Sequence, residues 1–499
     1  MGKRVGTFRS TYAVALASVG SFLIGYDTGV VGGVLTLPSF QRDFGYAAEQ
    51  KTRVESNCLS LLQAGAFFGC LLVWPITSRF GRRWAIVAAA MVFCLGATLQ
   101  VTTYSLACFY SGRVVAGLGT GASSVIVPIY TAEVAPKHIR GKLGGCFQLF
   151  ITLGVALSYW TDYAVTAGIR PSSLGPPPSK QWQIPIGLQL VPGAILGLGM
   201  LFVKESPRWL AQRGHREAAY AALLWIRGVT SMDEDCQLEF QQILHGMDVE
   251  FRASGGSTWK ELCLPSNRWR VFLAFSLQAA QQCTGNTSLA YYAPQIFVTI
   301  GAGNQSIFVT GVYGMFKIAG VVIFITFLVE RIGRRTPFMA GAFAMGSFML
   351  GIGILVAMHP PMNADEIDTY GAAAIGMVYL EAFSFNWSWG PLVWLYIGEI
   401  FPLKIREVGN VVGGSSQWLF NFAFSQLTPH AIATIGGKTF LLYAFLSFAI
   451  VVYAFFVVRE TRGKSLEEME TVFGTVGVLE GQASRLQADD SVRLISDYD

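Results

Sequence analysis

The sequence predicts an all-α membrane protein of twelve transmembrane helices, arranged as two pseudo-symmetric six-helix halves. Three observations carry that prediction. The 499 residues are 52% hydrophobic and 13% charged, with a mean hydropathy of +0.46, roughly half the charge of an ordinary soluble domain. Apolar runs of the length needed to cross a bilayer, about 20 residues, occur twelve times. Short charged motifs in the first half recur in order in the second. The net charge of +5 is too modest for a nucleic-acid footprint, and the eight cysteines are scattered without a CxxC pair. Neither a disulfide framework nor a metal site is supported.

Taken in order, the first six runs lie near residues 12–33, 57–78, 84–104, 106–134, 146–165 and 184–203, and become spans 1 to 6. Spans 7 to 12 lie near 270–298, 307–329, 338–358, 370–400, 408–430 and 438–458. The first run follows a basic "MGKRVGTFRSTY" and continues past any small-residue cleavage site, so a retained first helix is expected rather than a signal peptide. Residues 1–203 then form the N-terminal bundle and 204–269 a polar linker whose "SPRWLAQRGHREAAYAALLWIRG" reads as amphipathic helix. Residues 270–458 form the C-terminal bundle, and 459–499 a short tail. Of the 36 Lys and Arg, six fall in the loops opposite the termini, two inside spans, and 28 on the side of the termini. The positive-inside bias therefore places both termini in the cytoplasm.

The repeat is explicit. "ITSRFGRRWA" (76–85) pairs with "LVERIGRRTP" (328–337), "EVAPKHIRG" (133–141) with "EIFPLKIRE" (399–407), and "VKESPRWL" (203–210) with "VRETRGKSL" (458–466), at offsets of 252, 266 and 255 residues. Ordered motifs at a nearly constant offset mean two homologous halves. Two halves around a midplane site are the layout of rocker-type secondary transporters. There is no GxxxxGK[ST] loop to hydrolyse a nucleotide, so gradients would supply the energy. No nucleophile–base pair suggests an enzyme.

Six stretches together, "RFGRR", "PIYTAEVAPKHIRG", "KESPRWL", "QQCTGNTSLAYYAP", "WGPLVWLYIGEIFP" and "RETRGKSLEE", resemble the sugar porter family of the major facilitator superfamily, in its fungal style, over about residues 12–470. The resemblance implies that superfamily's fold and the uptake of a monosaccharide, a hexose or pentose. The proton would be the co-substrate and no other cofactor would be needed. The protein would act as a monomer in the plasma membrane, with the lipid bilayer and a small sugar as its partners and no nucleic acid. Passive facilitation, and transport of a sugar acid or quinate-like anion, stay open beside it. A sugar sensor is disfavoured by the short tail.

The Arg/Glu motifs fall at cytoplasmic helix ends. Arg82 and Arg83 with Glu133, Arg140 and Glu205, and Arg334 and Arg335 with Glu399 and Glu460, are expected to latch the inner gate, or at the least to hold the loops inside. The resemblance implies the gate. Ser78 and Glu330 stand where the family usually has Asp, which weakens the first-half latch. Gly25, Gly29 and Gly33 of span 1 and Gly117 and Gly121 of span 4 have small-xxx-small spacing, and should let spans 1 and 4 pack closely.

Four charges are read as intramembrane: Asp27, Arg113, Lys317 and Glu381. Buried ions need partners, so one acid–base pair per half is expected. A carboxylate at Asp27 tuned by Arg113 is also a reversible proton carrier, and the resemblance, with Asp in span 1 and "GR" in span 4, implies that role. Lys317 either neutralises Glu381 or meets the carboxylate of an anionic substrate. Sugar hydroxyls donate and accept, so amides suit them, and aromatic faces suit their C–H surface. Gln148, Gln281, Gln282, Asn386 and Gln417 supply the first, Trp394 and Trp418 the second, and interhelical hydrogen bonds are the plainer use of each amide alone. The family's sugar contacts resemble Gln148, Gln281, Gln282, Trp394 and Gln417. Where the family reads QQxxGIN this chain reads "QQCTGNT", which puts Asn286 one place early and Thr287 in the usual place. One residue turns a helical side chain by about 100°, so Asn286 should point elsewhere. Tyr291 and Tyr292 resemble the family's outer lid. Asn304, in "NQS", is a candidate glycosylation acceptor in an outer loop.

Overall fold

The computed structural model describes residues 2–135, 140–169, 178–229, 233–254, 265–302, 305–329, 331–359, 367–401 and 405–462. Asn304, Glu330, the tail beyond 462, parts of the linker and the side chain of Arg140 lie outside that description. Within the described residues the chain is helical and has no strand.

All twelve expected spans are present. Spans 1 to 5 are Gly2–Val34, Lys51–Phe80, Arg82–Thr102, Leu106–Val134 and Arg140–Gly168. Span 6 is two helices in series, Lys180–Leu188 and Leu190–Met200. Span 7 is Pro265–Cys283, Asn286–Tyr291 and Ala293–Thr299. Span 8 is Ser306–Ile323, ending in a π turn over Phe324–Leu328. Span 9 is Arg335–Met358, span 10 is Thr369–Trp387 with Trp389–Ile400, and spans 11 and 12 are Arg406–Ile435 and Lys438–Val457. Among the described residues, eight of these spans are long and apolar enough by composition alone; spans 5, 7, 10 and 11 are not. Those four carry the amides and two of the backbone breaks. A break or an amide is tolerated at membrane depth only where protein or a cavity surrounds it, so these spans turn those groups inward.

Each break has a local cause. Span 7 unwinds at Thr284–Gly285, where Gly285 adopts φ +82°, a conformation that costs glycine nothing. In span 10 the helix stops at Ser388 and restarts at Trp389. Pro391 in the new first turn has no N–H for the carbonyl of Trp387, and its ring crowds that carbonyl.

The glycine stripes pack differently from the expectation. A Cβ on Gly25 would lie 1.9 Å from the Ile151 carbonyl oxygen of span 5, and one on Gly29 2.0 Å from Ser158 Oγ. A Cβ on Gly121 would lie 2.0 Å from the Ala66 oxygen of span 2, and one on Gly117 2.1 Å from the Leu62 oxygen. Spans 1 and 5, and spans 4 and 2, are thus the close pairs. The spacing showed a close-packing face but not its partner.

In the linker, Pro207–Gln212 and Arg216–Arg227 pack beneath the N-terminal bundle. Ala219, Ala222, Leu223 and Ile226 form the buried face of the second helix. Ser10 Oγ of span 1 donates to the Ile226 carbonyl at 2.9 Å, and Arg227 Nη1 donates to the Val134 carbonyl at 3.1 Å.

Candidate functional site

At the end of the bundle that carries the linker, the two GRR turns are built alike. The Glu205 carboxylate accepts the backbone N–H of Arg82 at 3.0 Å and of Arg83 at 3.0 Å, and Glu460 accepts those of Arg334 at 2.8 Å and Arg335 at 3.2 Å. Each carboxylate caps the N-terminus of the next span, where orphan N–H groups and the helix dipole favour an anion. A Cβ on Gly81 would lie 2.4 Å from Glu205 Oε2, and one on Gly333 2.2 Å from Glu460 Oε2. That clearance is why the motif carries glycine. Burial pushes the Glu205 carboxyl above the ordinary range despite these N–H bonds. For Glu460 burial acts the same way but is outweighed by four backbone N–H groups, which hold the carboxyl below that range.

The arginine side chains therefore do not all meet the glutamates assigned to them. Arg82 does reach Glu133, at 3.3 Å, and Arg334 reaches Glu399, at 2.7 Å. Arg83 instead donates to the Met200 and Leu201 carbonyls, and Arg335 to the Phe455 carbonyl. Arg82 also forms an ion pair with Glu407 at the head of span 11. This link between the halves escaped sequence reading, although Glu407 closes the quoted "EIFPLKIRE". Ser78 has a use of its own: its carbonyl accepts from Trp209 Nε1 at 3.3 Å and from the Arg213 guanidinium, which docks the linker.

At the opposite end the halves also touch. Gln295 Nε2 donates to the Gly32 carbonyl at 3.3 Å, and Ser425 Oγ to Gln63 Oε1 at 2.6 Å. Gln426 Nε2 donates to Ser60 Oγ at 2.6 Å. Tyr291 and Tyr292 are buried here: Tyr291 Oη accepts from Asn421 at 3.2 Å, and Tyr292 Oη donates to the Ser425 carbonyl at 2.7 Å. Nearer the middle, Trp418 Nε1 donates to Ser124 Oγ at 3.1 Å and Tyr159 Oη to the Ala290 carbonyl at 2.6 Å. On the side of the linker a Cβ on Gly145 would meet Ile325 at 2.7 Å. Both sides are closed over the centre, an occluded arrangement.

The amides lie between those closures. Gln281 Nε2 donates to the Trp389 carbonyl at 2.8 Å, just past the break in span 10, and Gln282 donates to Gln281 at 3.4 Å. Gln148 Nε2 would be 3.2 Å from a Cβ on Gly390, so span 5 meets span 10 there, with the Trp394 ring 5.6 Å from Phe147. Gln282 Oε1, Gln417 Oε1 and both polar atoms of Gln278 are buried without a hydrogen-bond partner among the described residues. A polyhydroxylated solute is what such unsatisfied amides fit. Gln278 and Gln63 were missed in the sequence, though each is an amide inside an apolar run. Asn386 turns back to its own helix, donating to the Ala382 carbonyl at 2.7 Å. Thr287 is half-buried.

Asp27 and Arg113 are both fully buried, and Arg113 Nη1 donates to Asp27 Oδ1 at 2.6 Å. Arg113 Nε donates to the Cys58 carbonyl at 2.7 Å, so the pair ties spans 1, 4 and 2. Among the described residues Asp27 Oδ2 and Arg113 Nη2 have no hydrogen-bond partner. Lys317 and Glu381, by contrast, form no ion pair. Asn286 Nδ2 donates to Glu381 Oε2 at 2.9 Å, and the Lys317 ammonium lies 5.3 Å from the centre of the Tyr313 ring. The early placement of Asn286 thus puts its amide on a carboxylate. Sequence reading also overlooked two buried acids, Asp162 in span 5 and Glu55 in span 2.

A profile described as "Sugar (and other) transporter" matches residues 13–473. The chain belongs to the sugar porter family. A quinate permease of Emericella nidulans is 35% identical to this transporter over 484 residues, which cover 94% of this chain and 90% of the permease. A probable quinate permease of Aspergillus terreus is 36% identical, covering 94% and 88%. Among solved structures, the proton:xylose symporter XylE bound to 6-bromo-6-deoxy-D-glucose superposes with a TM-score of 0.78 at 26% identity, covering 94% of this chain and 100% of that one. The inward-open form of XylE from E. coli gives 0.73 at 25%, covering 92% and 98%. The transporter is an integral, multi-pass membrane protein of the major facilitator superfamily and not an enzyme.

Proposed function

We propose that this transporter imports a cyclic polyhydroxy acid of the quinate kind together with a proton, by rocking its two halves around the amide cluster. The observation that carries the reading is the Asp27–Arg113 pair: dry, bound to three spans, and with one carboxylate oxygen left free. Protonating Asp27 would release Arg113 and alter how spans 1, 2 and 4 hold together, linking the proton to the conformational equilibrium. The quinate class is favoured by the relatives' names and by Lys317, a buried cation without an ion-pair partner among the described residues. Uptake of a neutral hexose or pentose is the second reading, supported by the partnerless amides and the likeness to XylE. In this proposal a single chain suffices and the proton gradient is the only driving force. Import is across the plasma membrane, with both termini cytoplasmic.

The test records external pH as quinate or a panel of sugars is added to energised cells lacking their own carriers. Alkalinisation identifies both symport and substrate, and Asp27→Asn should reduce it by one proton per substrate. Uptake without any pH change would make the protein a passive carrier.

A further inference from the structure

The C-terminal half holds a group of ionisable side chains that Asp27 and Arg113 do not explain. Asn286 lies four residues after Gln282, just past the Gly285 break, and its amide takes one oxygen of Glu381. The other oxygen, Glu381 Oε1, is buried and has no hydrogen-bond partner among the described residues. Lys317, one helical turn from Tyr313 on span 8, is buried and has no hydrogen bond to any described residue, only the Tyr313 ring face. The packed elements bring few other ionisable groups. Span 8 contributes Tyr313 and Lys317. Span 5 contributes Tyr159, whose ring is 6.2 Å from Tyr313 and whose hydroxyl is already engaged at Ala290. On span 10 itself Tyr379 bonds the Val309 carbonyl, and the span 9 stretch 336–358 has no ionisable residue. One acid and one base thus share a dry site without satisfying each other. Groups desolvated in that way cost energy unless paired.

We infer that Lys317, Asn286 and Glu381 form a proton-gated receptor for the substrate's carboxylate, an inference that rests on the quinate reading above. With Glu381 ionised, its charge balances Lys317 and opposes a second anion nearby, in a medium where charges act strongly. With Glu381 protonated, Lys317 is the one uncompensated charge of the cluster and attracts a carboxylate, while the new O–H can donate to it. Asn286 holds Glu381 in place in both states, its Nδ2 donating to the carbonyl oxygen of the neutral acid. The site then takes up one proton for each anion and keeps its total charge.

The probes are quinate and its uncharged methyl ester, with binding to the purified full-length transporter measured between pH 5 and 8. Quinate is ionised throughout, so a proton linked to its binding shows as a loss of up to tenfold in affinity per pH unit. Any proton taken by Asp27 moves both probes alike, and the difference between them isolates this cluster. The wild type should lose quinate affinity with rising pH more steeply than ester affinity. Glu381→Gln should bind quinate with the slope of the ester, and Lys317→Met should lose at least tenfold for quinate but not for the ester. An extra quinate slope that survives in Glu381→Gln overturns the inference while leaving the quinate reading intact. If the wild type binds neither probe, the quinate reading fails and takes this inference with it. Glu381→Gln keeps an amide that Asn286 can hold, so that variant decides the matter even if Lys317→Met does not fold.

Discussion

Replacing Asp27 by Asn separates a proton carrier from a structural ion pair. Arg113 and Asp27 are both fully buried and joined by a 2.6 Å hydrogen bond. Removing one partner of such a pair typically costs about 3–5 kcal/mol, because the other charge is stranded. The Asn oxygen can still accept the Arg113 Nη1 bond, and the Cys58 carbonyl still accepts Nε at 2.7 Å, which keeps Asp27→Asn near the low end. Arg113→Met removes every donor to Asp27 and should cost the full amount, and the double variant should recover part of it. The transport signature is sharper. One pH unit is worth about 1.36 kcal/mol per coupled proton, a factor of ten in accumulation. In proteoliposomes with a one-unit gradient and the membrane potential clamped at zero, Asp27→Asn should accumulate substrate about tenfold less than the wild type. Counterflow, which needs no proton, should persist. Equal accumulation by the two proteins would refute the assignment and leave Asp27 a packing partner of Arg113.

Further predictions concern packing, the gates and the amides. Gly25→Ala would push a methyl against the Ile151 carbonyl of span 5, at 1.9 Å before relaxation, and should lower stability by about 1–3 kcal/mol, read as a drop in thermal midpoint. Glu407→Gln removes the ion pair of Arg82 to the second half and should shift the equilibrium towards opening at that end by about 1 kcal/mol, roughly fivefold in labelling of a cysteine probe placed there. The two glutamate caps should respond oppositely to pH. The raised Glu205 carboxyl binds its proton more tightly folded than unfolded, so its contribution falls as pH rises through the carboxylate range. The depressed Glu460 stabilises above that range and loses its contribution as pH falls. In thermal-midpoint profiles Glu205→Gln should flatten the fall as pH rises through the carboxylate range and Glu460→Gln the fall as pH drops through it, and exchanged behaviour would contradict the capping geometry. Gln282→Ala, which removes a buried acceptor with no protein partner, should raise KM about two- to tenfold with little change in stability.

What the sequence determined by itself follows from the bilayer. Without water, hydrogen bonds must close within each segment, so apolar runs mark the twelve spans, eight of them by length and hydropathy alone, and the repeated GRR and Glu motifs pair the halves. Local chemistry made Asp27–Arg113, the amides of span 7 and the glycine-bearing turns legible, because each is unusual for its position in the chain. Tertiary structure decided which side chains meet. Glu205 and Glu460 reach backbone N–H groups rather than guanidinium groups, since the missing side chains of Gly81 and Gly333 leave room for a carboxylate. The Gly25 stripe meets span 5 rather than span 4, because small-residue spacing marks a face but not what covers it. Lys317 and Glu381 form no ion pair, and it is Asn286, displaced by one position and set by the Gly285 break, that meets one oxygen of the carboxylate. Arg82 and Glu407 lie 325 positions apart in the chain, and only the docking of one half on the other brings them together.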